Sequence, residues 1–195
     1  MQKMVVWLVL VFMSLNAARS GAADAGFEDL FNGRDFTGWR FSLQKTGDPW
    51  PDNWKIKDGV IYLTGQMRPN LVTTRAFTDF EMKFEWRALT PKFNGGFYIR
   101  SKPDTGNNQI RVDRSYEGAF LAGSLTGAKA VPTLQKNIGE WNEWRVVVKG
   151  TTASLHCNGK LAWEATGLVP ASGYIGLQAE GTPMEFRNLQ LRELR

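Results

Sequence analysis

The chain has 195 residues, of which 43% are hydrophobic and 22% are charged, and its formal net charge is +5. This length and composition fit one globular domain with a substantial core. With one cysteine and one histidine, the chain has neither an intramolecular disulfide nor a cysteine-rich or histidine-rich metal site of its own.

The N-terminal segment has the features of a cleaved signal peptide. Lys3 precedes an apolar run over residues 4–15, and a stretch of small residues follows to Ala23. This run is too short for a spanning helix, which needs about 18 or more apolar residues. We therefore expect a signal peptide over residues 1–23, one domain over residues 24–195, a secreted or periplasmic protein, and no integral membrane segment after cleavage.

Removal of this peptide would also lower the net charge. The remaining chain has 22 basic residues against 19 acidic ones, a net charge of +3, because Lys3 and Arg19 leave with the peptide. So small a surplus of positive charge does not indicate a surface for nucleic acid.

The first strand signals of the domain follow an aromatic stretch over residues 27–39. Trp54 and Ile56 alternate with lysines, and Asp58-Gly59 predicts a hairpin into the next short apolar run. Similar short segments, separated by Asn-Gly, Asp-Gly and Gly-Gly pairs, continue along the chain. They favour an all-β domain over a helical one.

The clearest strand pattern lies between residues 77 and 100. Its first half places four large apolar residues at alternate positions with charged residues between them: Phe80, Met82, Phe84 and Trp86. This period of two predicts a strand with one core face and one charged face. The second half alternates Phe97 and Ile99 with Tyr98 and Arg100. Together the two halves predict two antiparallel strands of a sandwich.

The C-terminal half predicts further hairpins. Residues 144–149 and 153–157 pair across Gly150, and Asn158-Gly159 is a type I′ turn signal. Alternation places Cys157 in the core and His156 outside, next to the turn. An exposed histidine beside a turn does not favour a Ser-His-Asp triad, and His156 is the single histidine of the chain. A slip in the alternation of the last strand predicts a bulge at Asn188.

Several of these motifs, in their order and spacing, resemble the bacterial extracytoplasmic family called the 3-keto-disaccharide hydrolase domain, formerly a domain of unknown function. The resemblance covers about residues 27–194 and is carried by residues 30–33, 38–39, 54–59, 80–81, 94–100, 109, 139–142, 173–181 and 185–188. It implies a concanavalin A-like jelly-roll sandwich of two antiparallel sheets, with a carbohydrate groove on the concave face. The strand pattern gives the same all-β fold class.

The sequence departs from the family pattern next to Gln109. The family usually carries a carboxylate two residues before or after this glutamine, where the present chain has Asn107 and Arg111. A turn that ends in tyrosine in the family ends here in Leu121. Asp113 and Glu117 are carboxylates close by that could take the place of the missing acids.

The implied chemistry starts from a ketone at C3 of a sugar, which acidifies the proton at C2. A base removes this proton, the glycosidic oxygen at C1 leaves, and water then adds, so the site needs a base, an acid and a group that holds the enolate.

From the resemblance we expect Asp113 as the base, Arg100 as the enolate or hydroxyl anchor, and Gln109 beside them. The expected substrate-binding residues are Glu85, Gln178 and Glu180, with Trp50 as a sugar platform in a loop. The resemblance fixes no cofactor, although a divalent cation is compatible with it.

Structural roles compete with these assignments. The charges that include Glu85 are also typical of a solvated stripe, and Arg100 and Gln178 also fit a polar network between the sheets.

Two functions from different classes therefore remain open. One is an exported enzyme that cleaves 3-keto-glycosides or related disaccharides, and the other is a non-catalytic, lectin-like carbohydrate-binding module. In both, the partner is a carbohydrate; a protein-interaction domain is a third, weaker reading. The sequence does not specify the sugar or the oligomeric state.

We predict that the exported protein begins at Ala23 or Asp24, because Ser20 and Gly21 supply the small residues that signal peptidase requires before these sites. N-terminal sequencing of protein from a non-cytoplasmic fraction measures this directly. A mature chain that retains residues 4–15 would contradict the assignment.

Overall fold

Alternating apolar and polar side chains organise the chain into strands. The computed structural model describes residues 26–121, 125 and 127–195, so the predicted signal peptide lies outside the described residues. The strands in chain order are β1 (Glu28–Asp29), β2 (Trp39–Phe41), β3 (Trp54–Lys57), β4 (Val60–Thr64), β5 (Leu71–Thr73), β6 (Phe80–Ala88), β7 (Asn94–Ser101), β8 (Gln109–Asp113), β9 (Phe120–Leu121), β10 (Asn142–Lys149), β11 (Thr152–Cys157), β12 (Lys160–Thr166), β13 (Tyr174–Leu177) and β14 (Pro183–Glu193).

These strands form two antiparallel sheets that pack face to face. The eight-stranded sheet has the order β12-β11-β10-β6-β14-β4-β3, and β1 pairs with β14. The six-stranded sheet has the order β2-β5-β13-β7-β8-β9. Besides a short 3-10 turn at Pro132–Leu134, the described ranges contain no helix, and none long and apolar enough to cross a membrane. The all-β prediction is confirmed.

The core lies between the two sheets and follows the predicted alternation. Every apolar residue predicted for the inner face of β6 is at most 1% exposed, as are Phe97 and Ile99 of β7. The ring centroids of Phe84 and Phe97 lie 4.5 Å apart, so this pair joins one sheet to the other. Strands β6 and β7 therefore belong to opposite sheets and do not pair with each other.

Turn chemistry is also as predicted. Asp58-Gly59 has φ angles of 51° and 77°, and Asn158-Gly159 has φ angles of 51° and 80°. Positive φ at both central residues defines the type I′ hairpin that Asn-Gly and Asp-Gly favour. Asn188 has a φ of 53°, and the pairing of β14 with β6 shifts there, which confirms the bulge.

Paired charges cover the outer face of the eight-stranded sheet. Glu81 is only 3% exposed because Arg145 and Arg192 both bind its carboxylate. Burial alone would raise the pKa of Glu81, but the hydrogen bonds from these arginines outweigh burial and hold the pKa below its usual range. Two further charges of β6 on this face are also paired, through the contacts Glu85–Arg187 and Arg87–Glu185, and the ammonium of Lys83 lies over the Phe27 ring.

Candidate functional site

The outer face of the six-stranded sheet carries a group of polar residues on β7 and β8. Residues of these strands alternate between the core and the outer face, so every second cross-strand pair points outwards. Three such pairs lie next to each other: Tyr98 with Gln109, Gly96 with Arg111, and Asn94 with Asp113. This arrangement places polar side chains in the middle of the sheet rather than at its edge.

Gln109 lies directly over the backbone of β7 because Gly96 has no side chain. A Cβ atom at position 96 would lie 2.3 Å from Nε2 of Gln109, which is closer than two such atoms can approach. In this position Nε2 of Gln109 donates a hydrogen bond to Oε1 of Gln178, at 2.8 Å. The absence of a side chain at position 96 thus makes the contact between the two amides possible.

Gln178 extends this contact to a carboxylate. Its backbone N–H binds the carbonyl of Gly96, and its Nε2 donates to Oε1 of Glu180 at 2.8 Å. Gln178 and Glu180 are half-buried, so both reach the surface of the face. The structure therefore brings together three of the predicted site residues, Gln109, Gln178 and Glu180, in one hydrogen-bonded chain that we call the amide network.

Tyr98 borders the amide network and was not selected from the sequence. It is 3% exposed, and Nδ2 of Asn70 lies 3.4 Å from its hydroxyl oxygen. Burial, followed by the negative charge of Glu180, raises the pKa of Tyr98 to about 12. The phenol therefore stays protonated at neutral pH. The signal that indicates it is its strand position, which faces outwards opposite Gln109.

Asp113 lies on the same face, with both carboxylate oxygens in contact with neighbours. Oδ1 accepts hydrogen bonds from the backbone N–H groups of Ser115 and Tyr116, and Nη2 of Arg111 lies 2.5 Å from Oδ2. The guanidinium of Arg111 also stacks on the Tyr116 ring, 4.6 Å from its centroid. These residues line a cleft of about 440 Å³ together with Phe93, Asn94 and Thr182.

Arg100 lies apart from this group. Its φ angle of 42° interrupts the regular alternation of β7, and the side chain is only 1% exposed. The guanidinium donates to the carbonyls of Thr78 and Gly150 and to Oδ1 of Asp79, each at 2.6 Å. Arg100 therefore ties β7 to the end of the other sheet, as the alternative of a polar network between the sheets anticipated.

Two further predicted residues also lie elsewhere. Glu85 is on the outer face of the eight-stranded sheet, bound to Arg187, on the opposite side of the sandwich from the amide network. Trp50 follows β2 and stacks on Phe36 with a centroid distance of 4.5 Å. It also makes an edge contact with Phe41, so it completes a peripheral aromatic cluster.

The described residues offer no obvious cation site. Within residues 26–121, 125 and 127–195, no three histidine, cysteine, aspartate or glutamate residues gather at metal-binding distances.

The fold and this face define the class of protein. Two antiparallel sheets in this order form a concanavalin A-like jelly roll, as predicted. The chain belongs to the 3-keto-alpha-glucoside-1,2-lyase-like domain family, whose sequence profile matches residues 26–192. This confirms the family resemblance drawn from the sequence motifs.

The individual proteins that the chain resembles share little sequence identity with it. The chain is 24% identical to a 3-keto-disaccharide hydrolase of Bacteroides thetaiotaomicron, over 87% of this chain and 79% of that protein. A protein of Parabacteroides distasonis, assigned provisionally as a glycosyl hydrolase, has a similar structure with a TM-score of 0.68 and 20% identity, over 87% of this chain and 95% of that one. The carbohydrate-binding module CBM66 of Bacillus subtilis is similar with a TM-score of 0.61 and 14% identity, over 82% of this chain and 98% of that one. At these identities the two structures bear on the fold alone.

We predict that Arg100→Met lowers the free energy of unfolding by about 3 to 5 kcal/mol, because it removes the donor from two carbonyls and leaves the Asp79 carboxylate with the backbone N–H of Gly150 but no cation. Arg75→Met is the matched control, since Arg75 forms an exposed ion pair with Glu193 and should cost less than about 1 kcal/mol. Chemical denaturation measures both variants. An Arg100→Met protein of unchanged stability that no longer binds sugar would instead make Arg100 a ligand anchor.

Proposed function

We propose that this chain is an exported enzyme that cleaves 3-keto-glycosides at the outer face of the six-stranded sheet. The observation that carries the proposal is the amide network, in which the Gln109 amide binds Gln178 and the Gln178 amide binds the half-buried Glu180 carboxylate. Membership of the 3-keto-alpha-glucoside-1,2-lyase-like family and the name of the Bacteroides relative support this substrate class.

The proposed reaction begins with removal of the proton at C2 of the keto sugar. The electron pair of the C2–H bond forms a C2–C3 double bond, and the C3 oxygen takes up the negative charge as an enolate. The enolate then collapses and expels the alcohol from C1, which takes up a proton. Water adds across the resulting double bond and completes a net hydrolysis. The site must therefore supply a base on one side and stabilise an oxyanion on the other.

Glu180 is the base that the geometry favours. Among the described residues its carboxylate receives one hydrogen bond, from Gln178, and it is only half-buried, so a lone pair remains available to a ligand. Asp113 was the carboxylate expected from the sequence. Because backbone N–H groups and Arg111 occupy both of its oxygens, Asp113 suits the role of orienting Arg111 better than that of accepting a proton.

Arg111 is suited to hold the enolate, and Gln178 is suited to bind a sugar hydroxyl beside it. Arg111 pairs with Gly96 across the sheet, and Gln178 binds the carbonyl of the same glycine on the other side. They therefore lie on either side of a residue without a side chain, roughly 10 Å apart at the backbone, since neighbouring strands are about 4.8 Å apart. A guanidinium stacked on Tyr116 keeps its charge and its geometry in such a site. We assign the C3 oxygen to Arg111 and a sugar hydroxyl to Gln178.

A lectin-like binding module is the second candidate. One observation favours it: the two positions where the family carries acids near Gln109 hold Asn107 and Arg111. Amides and an arginine bind sugar hydroxyls without performing proton transfer, and the same fold serves both kinds of protein. The two candidates share a ligand class and differ only in turnover.

We predict that Glu180→Gln lowers turnover of 3-keto-trehalose by about a hundredfold or more and leaves sugar binding within a few-fold of wild type. The change removes the base but keeps a side chain of the same size next to Gln178. Glu164→Gln, on exposed β12, is the control and should leave both quantities unchanged. The assay is run with and without EDTA.

Three outcomes separate the alternatives. Full turnover in Glu180→Gln with loss in Asp113→Asn would return the role of base to Asp113. Binding without turnover in the wild-type protein would replace the enzyme by the binding module. Absence of both binding and turnover would contradict the proposed ligand class.

A further inference from the structure

A second carboxylate near the site lies inside the protein and takes no part in the proposed chemistry. Glu117 follows β8 and is fully buried, with 0% of its surface exposed. Neither oxygen of its carboxylate has a hydrogen-bond partner that meets ordinary geometry. A buried acid without partners is costly to a fold when it is charged, so this position calls for an explanation.

The chain inserts this residue into the space between the sheets through residues 114–118, which we call the 114–118 segment. Gly118 has a φ of 76°, and a Cβ atom there would lie 2.8 Å from Val131 and 3.0 Å from Leu155, so only glycine fits. Its carbonyl accepts a hydrogen bond from the indole of Trp163, at 2.7 Å. The carbonyl of Glu117 accepts one from the backbone of Val131, also at 2.7 Å.

The same segment forms one wall of the cleft. The backbone N–H groups of Ser115 and Tyr116 hold Asp113, and the Tyr116 ring supports the guanidinium of Arg111. Arg111 lies on β8 shortly before the 114–118 segment and lines the cleft, whereas Glu117 lies within the segment and faces the core. A movement that takes Glu117 out of the core would displace Tyr116 from Arg111.

Burial and a neighbouring negative charge favour the neutral form of Glu117, and one neighbour opposes them. On β10, the indole N–H of Trp144 approaches the carboxylate and lowers its pKa, whereas Asp113 of β8 adds negative charge from the cleft side. Cys157 of β11 is close enough for the charge of Glu117 to act on its thiol. Burial is the main cause that raises the pKa of Glu117 to about 8, and the charge of Asp113 adds to it. Burial and the proximity of Glu117 likewise raise the pKa of the Cys157 thiol.

We propose that Glu117 is a positioning residue that is protonated while the 114–118 segment is closed. When Glu117 loses its proton, the segment opens, and Tyr116 no longer supports Arg111 in the cleft. The proposal thus implies an upper pH limit for ligand binding at the site. It rests on the proposed function only in its consequence for ligand binding, because the opening itself involves no sugar.

The sign of the effect follows from the two forms of the segment. In the open form the carboxyl meets water and its pKa returns to about 4.5, whereas in the closed form the pKa is about 8. Closure is therefore fully favoured below about pH 4.5 and weakens by up to tenfold per pH unit as the pH rises towards 8. Above about pH 8 both forms have lost the proton, and the equilibrium no longer changes.

Cys157 reports the opening, because it is fully buried, is close enough to Glu117 for that carboxylate to raise the pKa of its thiol, and is the single cysteine of the chain. We would measure its rate of alkylation by iodoacetamide from pH 5 to pH 9 in wild type and in Glu117→Gln, which keeps the shape of the residue without a titrating proton. The ratio of the two rates cancels the reactivity of the thiol itself. We expect this ratio to rise by up to tenfold per pH unit and to level off near pH 8. Glu164→Gln should follow wild type.

A ratio that does not change with pH would overturn the proposal. Infrared spectroscopy of the wild-type protein tests it without any variant, should Glu117→Gln not fold. The carbonyl stretch of a protonated carboxylic acid should persist at pH 6.5 and disappear towards pH 9, and its absence at pH 6.5 would also overturn the proposal.

Binding of 3-keto-trehalose should weaken over the same pH range in wild type and not in Glu117→Gln. If the thiol and infrared results hold and no sugar binds at any pH, the proposed function fails and the role of Glu117 in closing the segment stands.

Discussion

The contact between Gln109 and Gly96 is the constraint on which the candidate site depends. A methyl group at position 96 would occupy the place of the Gln109 amide, so any larger residue would lift this amide from the sheet and away from Gln178. Gln178 in turn orients Glu180 through its second amide group. The absence of a side chain at Gly96 of β7 thus determines the position of the Glu180 carboxylate. Glu180 follows β13, which is two strands away from β8 and Gln109.

The two outer faces of the sandwich use polar residues in opposite ways. On the eight-stranded sheet, Glu81 and Glu85 are each bound by arginines of neighbouring strands, and these bonds satisfy both ends of every pair. On the six-stranded sheet, the central groups are neutral amides and a protonated phenol around a half-buried carboxylate. Paired charges stabilise a surface, whereas neutral donors and a partly exposed carboxylate leave hydrogen bonds for a ligand. This difference is why we place the sugar on the six-stranded face.

Local patterns in the sequence predict most of this fold, because they depend on neighbours in the chain. Alternation predicted the core residues of β6, and Asn158-Gly159 predicted its turn, since both follow from strand geometry. Gln178 and Glu180 are two residues apart, so alternation also places them on one face, and these two residues do lie together.

What the sequence could not predict depends on contacts between distant segments. Alternation tells which side of a strand Glu85 occupies, but not that β6 and β7 belong to different sheets. Arg100 lies two residues after Tyr98, so alternation places both side chains on the same face. A left-handed backbone angle at Arg100 instead turns its side chain towards Asp79. Alternation placed Tyr98 on the outward face but did not mark it as a site residue, because only the pairing with Gln109 places its hydroxyl near Glu180.

The claim that the ligand binds over the amide network can be tested by nuclear magnetic resonance. The side-chain amide signals of Gln109 and Gln178 report on the six-stranded face, and the indole N–H of Trp141, which stacks on Arg87 and Arg187, reports on the eight-stranded face. On titration with 3-keto-trehalose, we expect both amide signals to shift while the Trp141 signal stays in place. A shift of Trp141 with unchanged Gln109 and Gln178 signals would contradict this account.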